Sequence, residues 1–149
     1  ASLRMEKGYR DYGHDIDNTD SVLEAGLGFA VDLKKPDGFI GKDAVVKKKA
    51  EGPLKRRIVQ VLCKDPEPLM FHAEPLWRNG KAVGYVRAAS YGFTVGGAVG
   101  LAMIEGGDEV VDQKYLDGGT WELEINGKRY PALPSIKPLY DPEMKKVKA

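Results

Sequence analysis

The chain has 149 residues, 42% of them hydrophobic and 30% charged, with a net charge of +1. That is enough for one domain, or for one small domain joined to the edge of another. The near balance of charge argues against nucleic-acid binding and against strong attraction to anionic membranes. No apolar run approaches the roughly 20 residues that span a bilayer. A single cysteine, Cys63, cannot form an internal disulfide, so a reducing compartment is expected, either bacterial cytoplasm or mitochondrial matrix.

In chain order, the opening reads as the interior of a folded domain, with no initiator Met and no signal peptide. The chain is therefore expected to be the C-terminal piece of a longer one. Residues 3–12 suit a helix with Glu6 and Arg10 one turn apart as an ion pair, and with Met5, Tyr9 and Tyr12 on one side. Such a helix would lack upstream neighbours and is expected to be locally disordered or to pack against another molecule. Asp17, Asn18, Thr19, Asp20 and Ser21 offer N-caps for a short helix over residues 22–25. Gly26 and Gly28 interrupt it, and the alternation over residues 29–33 predicts a strand. After turn residues 34–38, residues 42–50 predict a helix ended by Glu51-Gly52-Pro53, with Ala44, Val45 and Val46 inward and Lys47, Lys48 and Lys49 outward.

Beyond Leu54 the pattern changes to strands. Residues 57–62 read as a buried strand with Cys63 as a small core residue, and residues 99–104 as another. Asn79-Gly80 and Asn126-Gly127 suit type I′ turns, which predicts hairpins over residues 75–87 and 121–132. Five or more short strands, with no helix after Ala50, predict a small antiparallel barrel or sandwich. The domain boundary is expected near Gly52-Pro53, and the lysine-bearing tail, residues 141–149, is expected to fray.

Catalytic equipment is mostly missing. There is no phosphate loop, no GxSxG and no cysteine or histidine pair at metal spacing. His14 is expected to cap or to lie on the surface, and His72 to be partly buried in a loop. Asp15 and Asp17, and Glu105 and Asp108, read as ordinary loop acids. The runs Lys47-Lys48-Lys49 and Lys55-Arg56-Arg57 read as solvated faces. Tyr9, Tyr12, Tyr85, Tyr91 and Phe93 could line a pocket for a planar heterocycle, or be the core and rim of two packed subdomains.

Five blocks in register carry a resemblance. Ser2-Leu3-Arg4-Met5-Glu6-Lys7-Gly8-Tyr9-Arg10, Leu23-Glu24-Ala25-Gly26-Leu27-Gly28-Phe29 and Phe39-Ile40-Gly41-Lys42-Asp43-Ala44 are three of them. Leu54-Lys55-Arg56-Arg57-Ile58-Val59 and Trp77-Arg78-Asn79-Gly80-Lys81-Ala82-Val83-Gly84 are the other two. Together they resemble the glycine-cleavage aminomethyltransferase (T-protein) superfamily, with Val22 where relatives often have Pro and Gly38 where an acid is common. Within it, Lys7-Gly8-Tyr9-Arg10 and the terminus from Lys137 to Lys148 are most similar to the C-terminal half of the flavin-dependent sarcosine and dimethylglycine dehydrogenases, sarcosine dehydrogenases above all.

The resemblance implies an α+β chain. Residues 1–52 would be the edge of an aminomethyltransferase-like folate-binding domain, followed by a small antiparallel β-barrel domain over residues 53–149. It also implies tetrahydrofolate as the small-molecule partner and FAD in an upstream flavoprotein half of the same chain, with no nucleic acid or membrane partner. The flavin half would oxidise an N-methyl amine, and the folate would capture the one-carbon unit. Tyr9 matches an aromatic position lining the family's folate pocket. Arg4 and Glu6 belong to the same motif, and Arg87 and Tyr91 fall in a loop after the first hairpin where relatives carry Thr-Ser-Gly. The family's catalytic aspartate would lie upstream of Ala1, so this chain alone is expected to be inactive. Two alternatives stand beside this reading: a stand-alone aminomethyltransferase of the glycine cleavage system, and a non-catalytic regulatory homologue such as the regulatory subunit of pyruvate dehydrogenase phosphatase.

Overall fold

A computed structural model describes residues 1–149. Six strands close into an antiparallel barrel: β1 (Arg56–Cys63), β2 (Pro75–Arg78), β3 (Lys81–Gly92), β4 (Gly97–Glu105), β5 (Trp121–Ile125) and β6 (Lys128–Ser135), in the spatial order β1-β4-β3-β2-β5-β6. Both Asn-Gly hairpins form where the dipeptides predict, and Asn79 and Asn126 adopt the positive φ values, 50° and 51°, that such a turn requires. Closure leaves no unpaired edge to template aggregation.

Every strand sends side chains into the lumen, among them Val59, Val61, Leu76, Val86, Ile104, Leu123 and Ala132. Cys63 is one of them, and burial pushes its thiol pKa up. A five-residue helix that the sequence reading missed, Gln113–Asp117, packs Tyr115 and Leu116 into this core. Its signal was present: the Asp112 carboxylate accepts from the Tyr115 amide at 2.8 Å, an N-cap, and Gly118-Gly119 follows the last turn.

The second core lies outside the barrel. Ile58 of β1, Ala88 of β3 and Val99, Leu101 and Met103 of β4 meet Met5, Ile16 and Ala25 of the N-terminal segment. Strand β4 is therefore covered on both faces, which is why its sequence is apolar almost throughout. Strand β3 carries a bulge at Arg87, between the pairs Val86↔Ala102 and Ala88↔Leu101. Val86 faces the lumen, Ala88 joins the outer core and Ala89 packs on the inner core again. The extra residue reverses the inside–outside alternation.

Several N-terminal expectations are corrected. The first helix, α1, is only Ser2–Glu6, because Gly8 turns to φ 63° and closes a Schellman motif: the Gly8 amide donates to Met5 O and the Tyr9 amide to Arg4 O. Arg10 thus points to Ala25 O and Gly8 O, and no Glu6–Arg10 pair forms. Far from lacking neighbours, α1 lies on β3 and β4 with Met5 buried. Residues 22–25 form turns rather than a helix, fastened by reciprocal bonds between Ser21 and Glu24. Residues 29–33 form no strand, since no neighbour offers a ladder to them; Gly28–Ala30 is a 3₁₀ turn. The helix α2 (Lys42–Ala50) forms as predicted but buries none of its residues; Ala44 and Val46 are exposed, and half-buried Lys48 turns to Glu24 and Glu51. The tail is organised through Val147 by the Asp141 carboxylate, which accepts from the amides of Lys145, Lys146 and Val147.

Candidate functional site

The residues singled out by sequence gather on the N-terminal segment and the part of the barrel it covers. Strand β1 supplies the bolt. Gln60, buried in the barrel's outer face, donates to the carbonyls of Met5 and Glu6 and accepts from the Leu139 amide. One side chain thus satisfies the C-terminal end of α1 and ties the tail to it. Glu6, also buried, accepts from the Thr94 and Val95 amides in the turn after β3. Ser2 donates to the carbonyl of Tyr91.

Arg4 ion-pairs with Asp15 and donates to Tyr9 O at 3.1 Å. Asp15, expected to be an ordinary loop acid, is fully buried. Burial pushes its carboxyl up, but bonds from Arg4, His14 and the Asp11 amide outweigh that and hold it below the usual range. His14 is exposed, as expected of a surface residue, and its Nδ1 lies 3.0 Å from Asp15 Oδ1. His72, expected to be partly buried, is exposed.

Arg87 and Tyr91 lie within β3 rather than in a loop after the hairpin. The bulge turns Arg87 outward to Asp20, whose carboxylate also takes Arg56 at 2.7 Å. Two arginines share one buried acid, and Arg87 Nη1 adds a bond to Asp15 O at 3.0 Å. Burial opposes ionisation of Asp20, but these bonds and the Asp17 amide leave its carboxyl below the usual range. Arg56 is thus part of the architecture rather than of a solvated face, while neighbouring Arg57 donates to Val111 O.

The aromatic residues do not form one lining. Tyr9 is 47% exposed, its hydroxyl 3.8 Å from Met144 Sδ of the tail, and Tyr12 is exposed beyond it. Tyr91 packs edge-on against Phe93 at 5.2 Å, and Phe93 is 81% exposed. The two clefts that Tyr85 borders include none of the other four. Of the five candidate binding residues, Arg4, Glu6 and Arg87 spend their polar groups on internal partners. Tyr9 keeps an open ring face, and Tyr91 is half-buried. Lys7 is nearly buried, 2.6 Å from Asp141 O and 3.6 Å from its carboxylate, and holds the tail beside Tyr9. No group of three or more metal-ligating side chains is assembled, and no helix is long and apolar enough to cross a membrane.

A closed six-stranded antiparallel barrel, with an N-terminal segment bolted to its outer wall, defines the class of module. The chain belongs to the glycine cleavage T-protein family: the model of the "Glycine cleavage T-protein C-terminal barrel domain" matches residues 56–141, and that of the "GCVT N-terminal domain" matches residues 1–35. It is 42% identical, over 95% of its length, to the 4-methylaminobutanoate oxidase (formaldehyde-forming) of Paenarthrobacter nicotinovorans. It is 40% identical, over 99% of its length, to human mitochondrial sarcosine dehydrogenase. In both comparisons it spans only 16% of the relative. Its fold matches the crystal structure of the glycine cleavage system aminomethyltransferase T from Bartonella henselae, with a TM-score of 0.69 and 25% identity, covering 88% of this chain and 35% of that one.

Proposed function

We propose that this chain is the folate-side, C-terminal part of a flavin-dependent enzyme that oxidises an N-methyl amine such as sarcosine or dimethylglycine. The observation that carries the reading is the likeness, along nearly the whole chain, to an oxidase and a dehydrogenase of methylated amines. Tetrahydrofolate, when bound, would accept the one-carbon unit; the FAD would belong to an upstream half of the same protein. Catalysis would need that half, working in the bacterial cytoplasm or the mitochondrial matrix.

The surface beside α1 suits a planar heterocycle. Tyr9 offers an open ring on which such a ligand can stack. Arg4, pinned by Asp15, holds the Tyr9 carbonyl and fixes the backbone that presents the ring. Glu6 and Ser2 anchor α1 to the end of β3 and the turn after it. Arg87 keeps residues 15–20 against the barrel. Closing such a surface against water would protect a reactive one-carbon unit from hydrolysis to formaldehyde.

The test is formaldehyde release by the complete protein turning over sarcosine or dimethylglycine. Tetrahydrofolate should suppress it. Tyr9→Ala should restore it while leaving the rate of flavin reduction unchanged. A complete protein without a flavin spectrum would overturn the reading in favour of a stand-alone aminomethyltransferase, the activity named for the Bartonella structure. A colourless protein that also fails to bind tetrahydrofolate would point to a regulatory homologue.

A further inference from the structure

Away from the α1 surface, the β2–β3 hairpin and the loop after β4 enclose a cleft of about 640 Å³. Four cationic side chains, Arg56, Arg78, Lys81 and Arg87, border it against two carboxylates, Glu105 and Glu109. Gly84, Gly106 and Gly107 form part of its wall, so backbone is accessible there.

Arg78 and Lys81 are direct cross-strand partners at the Asn79-Gly80 turn. Like charges opposed in this way repel each other and weaken a hairpin. Neither is neutralised at hydrogen-bond distance. Arg78 Nη1 lies 3.7 Å from Glu109, which is 64% exposed, and Lys81 has no ion-pair partner at all. Arg56 Nε likewise lies 3.6 Å from Glu105, which is 71% exposed. Both acids are loosely held and free to swing away.

Arg78 is nevertheless held in place by two contacts. Its guanidinium lies over the Tyr115 ring, 3.9 Å from the centroid, and Nε donates to Tyr115 O at 3.2 Å. The fork is ordered in advance, so little side-chain entropy is left to lose when it binds an anion. A held arginine, an unpaired lysine opposite it and displaceable carboxylates nearby make an anion receptor with one weak internal competitor on each side.

We propose that this cleft binds an organic anion through a carboxylate or phosphate group, with Arg78 and Lys81 as its direct contacts. Arg56 and Arg87, committed to Asp20, contribute positive potential rather than free donors. The site is separate from the Tyr9 surface and does not depend on the folate reading.

The experiment is a titration of the isotope-labelled chain with inorganic phosphate or succinate, followed by the amide resonances of Gly84, Gly106 and Gly107. Chloride at matched ionic strength is the control. The expected result is saturable shifts at these glycines with one or both anions, the stronger of the two identifying the source. Lys81→Gln should weaken binding at least about tenfold, the loss expected for a charged hydrogen bond. Arg78→Gln should do the same, and Lys81→Gln serves alone if loss of the Tyr115 contact unfolds the hairpin. Glu109→Gln should tighten binding by removing the competitor, a change of sign that a structural role would not produce. Tyr9→Ala should leave it unaltered. Shifts equal to those with chloride, or Glu109→Gln weakening the binding, would overturn the proposal.

Discussion

The barrel lumen and the N-terminal cap are held by different physics. The lumen is a contact between apolar side chains from all six strands. The cap buries Met5, Ile16 and Ala25, but it is positioned by buried polar groups: Gln60, Glu6, Asp15 and Asp20, each satisfied by several partners. Apolar packing is tolerant of pH and falls off with lost volume, whereas buried polar bolts fail one partner at a time. Barrel and cap should therefore come apart under different insults.

The largest effect is expected in the lumen. Leu123→Ala removes a fully buried side chain from the centre of the core and should cost about 3 kcal/mol. Urea unfolding followed by Trp121 fluorescence reads it, with barrel and cap lost together. Asp20→Ala should cost about 2 kcal/mol by leaving Arg56 and Arg87 without their shared acid. Its damage should appear as faster amide exchange in residues 15–25, with β5 and β6 unchanged. Equal acceleration in both regions would break the comparison.

Acid should act in the same direction. Asp15, Asp20 and Glu24 all titrate below their ordinary values in the folded chain. Their stabilisation is complete above the unfolded-state values near pH 4, and is lost as pH falls through the folded ones. The buried acidic residues, Glu6, Asp15 and Glu24, all belong to the cap, so exchange measured between about pH 5 and pH 2 should show the cap loosening before the barrel. Gln60→Ala should cost about 1–2 kcal/mol, freeing α1 and the tail together because one side chain serves both. Smallest of all, Val46→Ala on the uncovered face of α2 should stay within about 0.5 kcal/mol.

The same division explains what could be read from the amino acids. Barrel strands are local statements: an Asn-Gly between two strand-like runs, or an apolar stretch of six residues, carries its meaning within itself. Residues 57–62 and 99–104 and both hairpins were legible for that reason. The cap is a set of long-range agreements. Asp20 meets Arg87 across 67 positions and Gln60 meets Met5 across 55, which no local pattern announces. The alternation at residues 29–33 misled because a strand needs a neighbour as well as a pattern. Of the candidate site, Tyr9 was singled out only through the resemblance, and the internal duties of Arg4, Glu6 and Arg87 became visible only with their partners in place.

The bulge at Arg87 means that β3 keeps count. Upstream of it, Val86 faces the lumen; downstream, the parity is reversed, so that Tyr91 shares a face with lumen residue Ala98 and Gly92 turns out towards Glu6. Replacing Arg87 costs its ion pair with Asp20 and its bond to Asp15 O. Drawing Arg87 into the ladder opposite Leu101 would exchange the faces of every residue from Ala88 to Gly92, placing a tyrosine where only hydrogen fits beside Val95, Val99 and Glu6. The inner and outer walls of this strand's far end are thus assigned by one residue that stays out of the count.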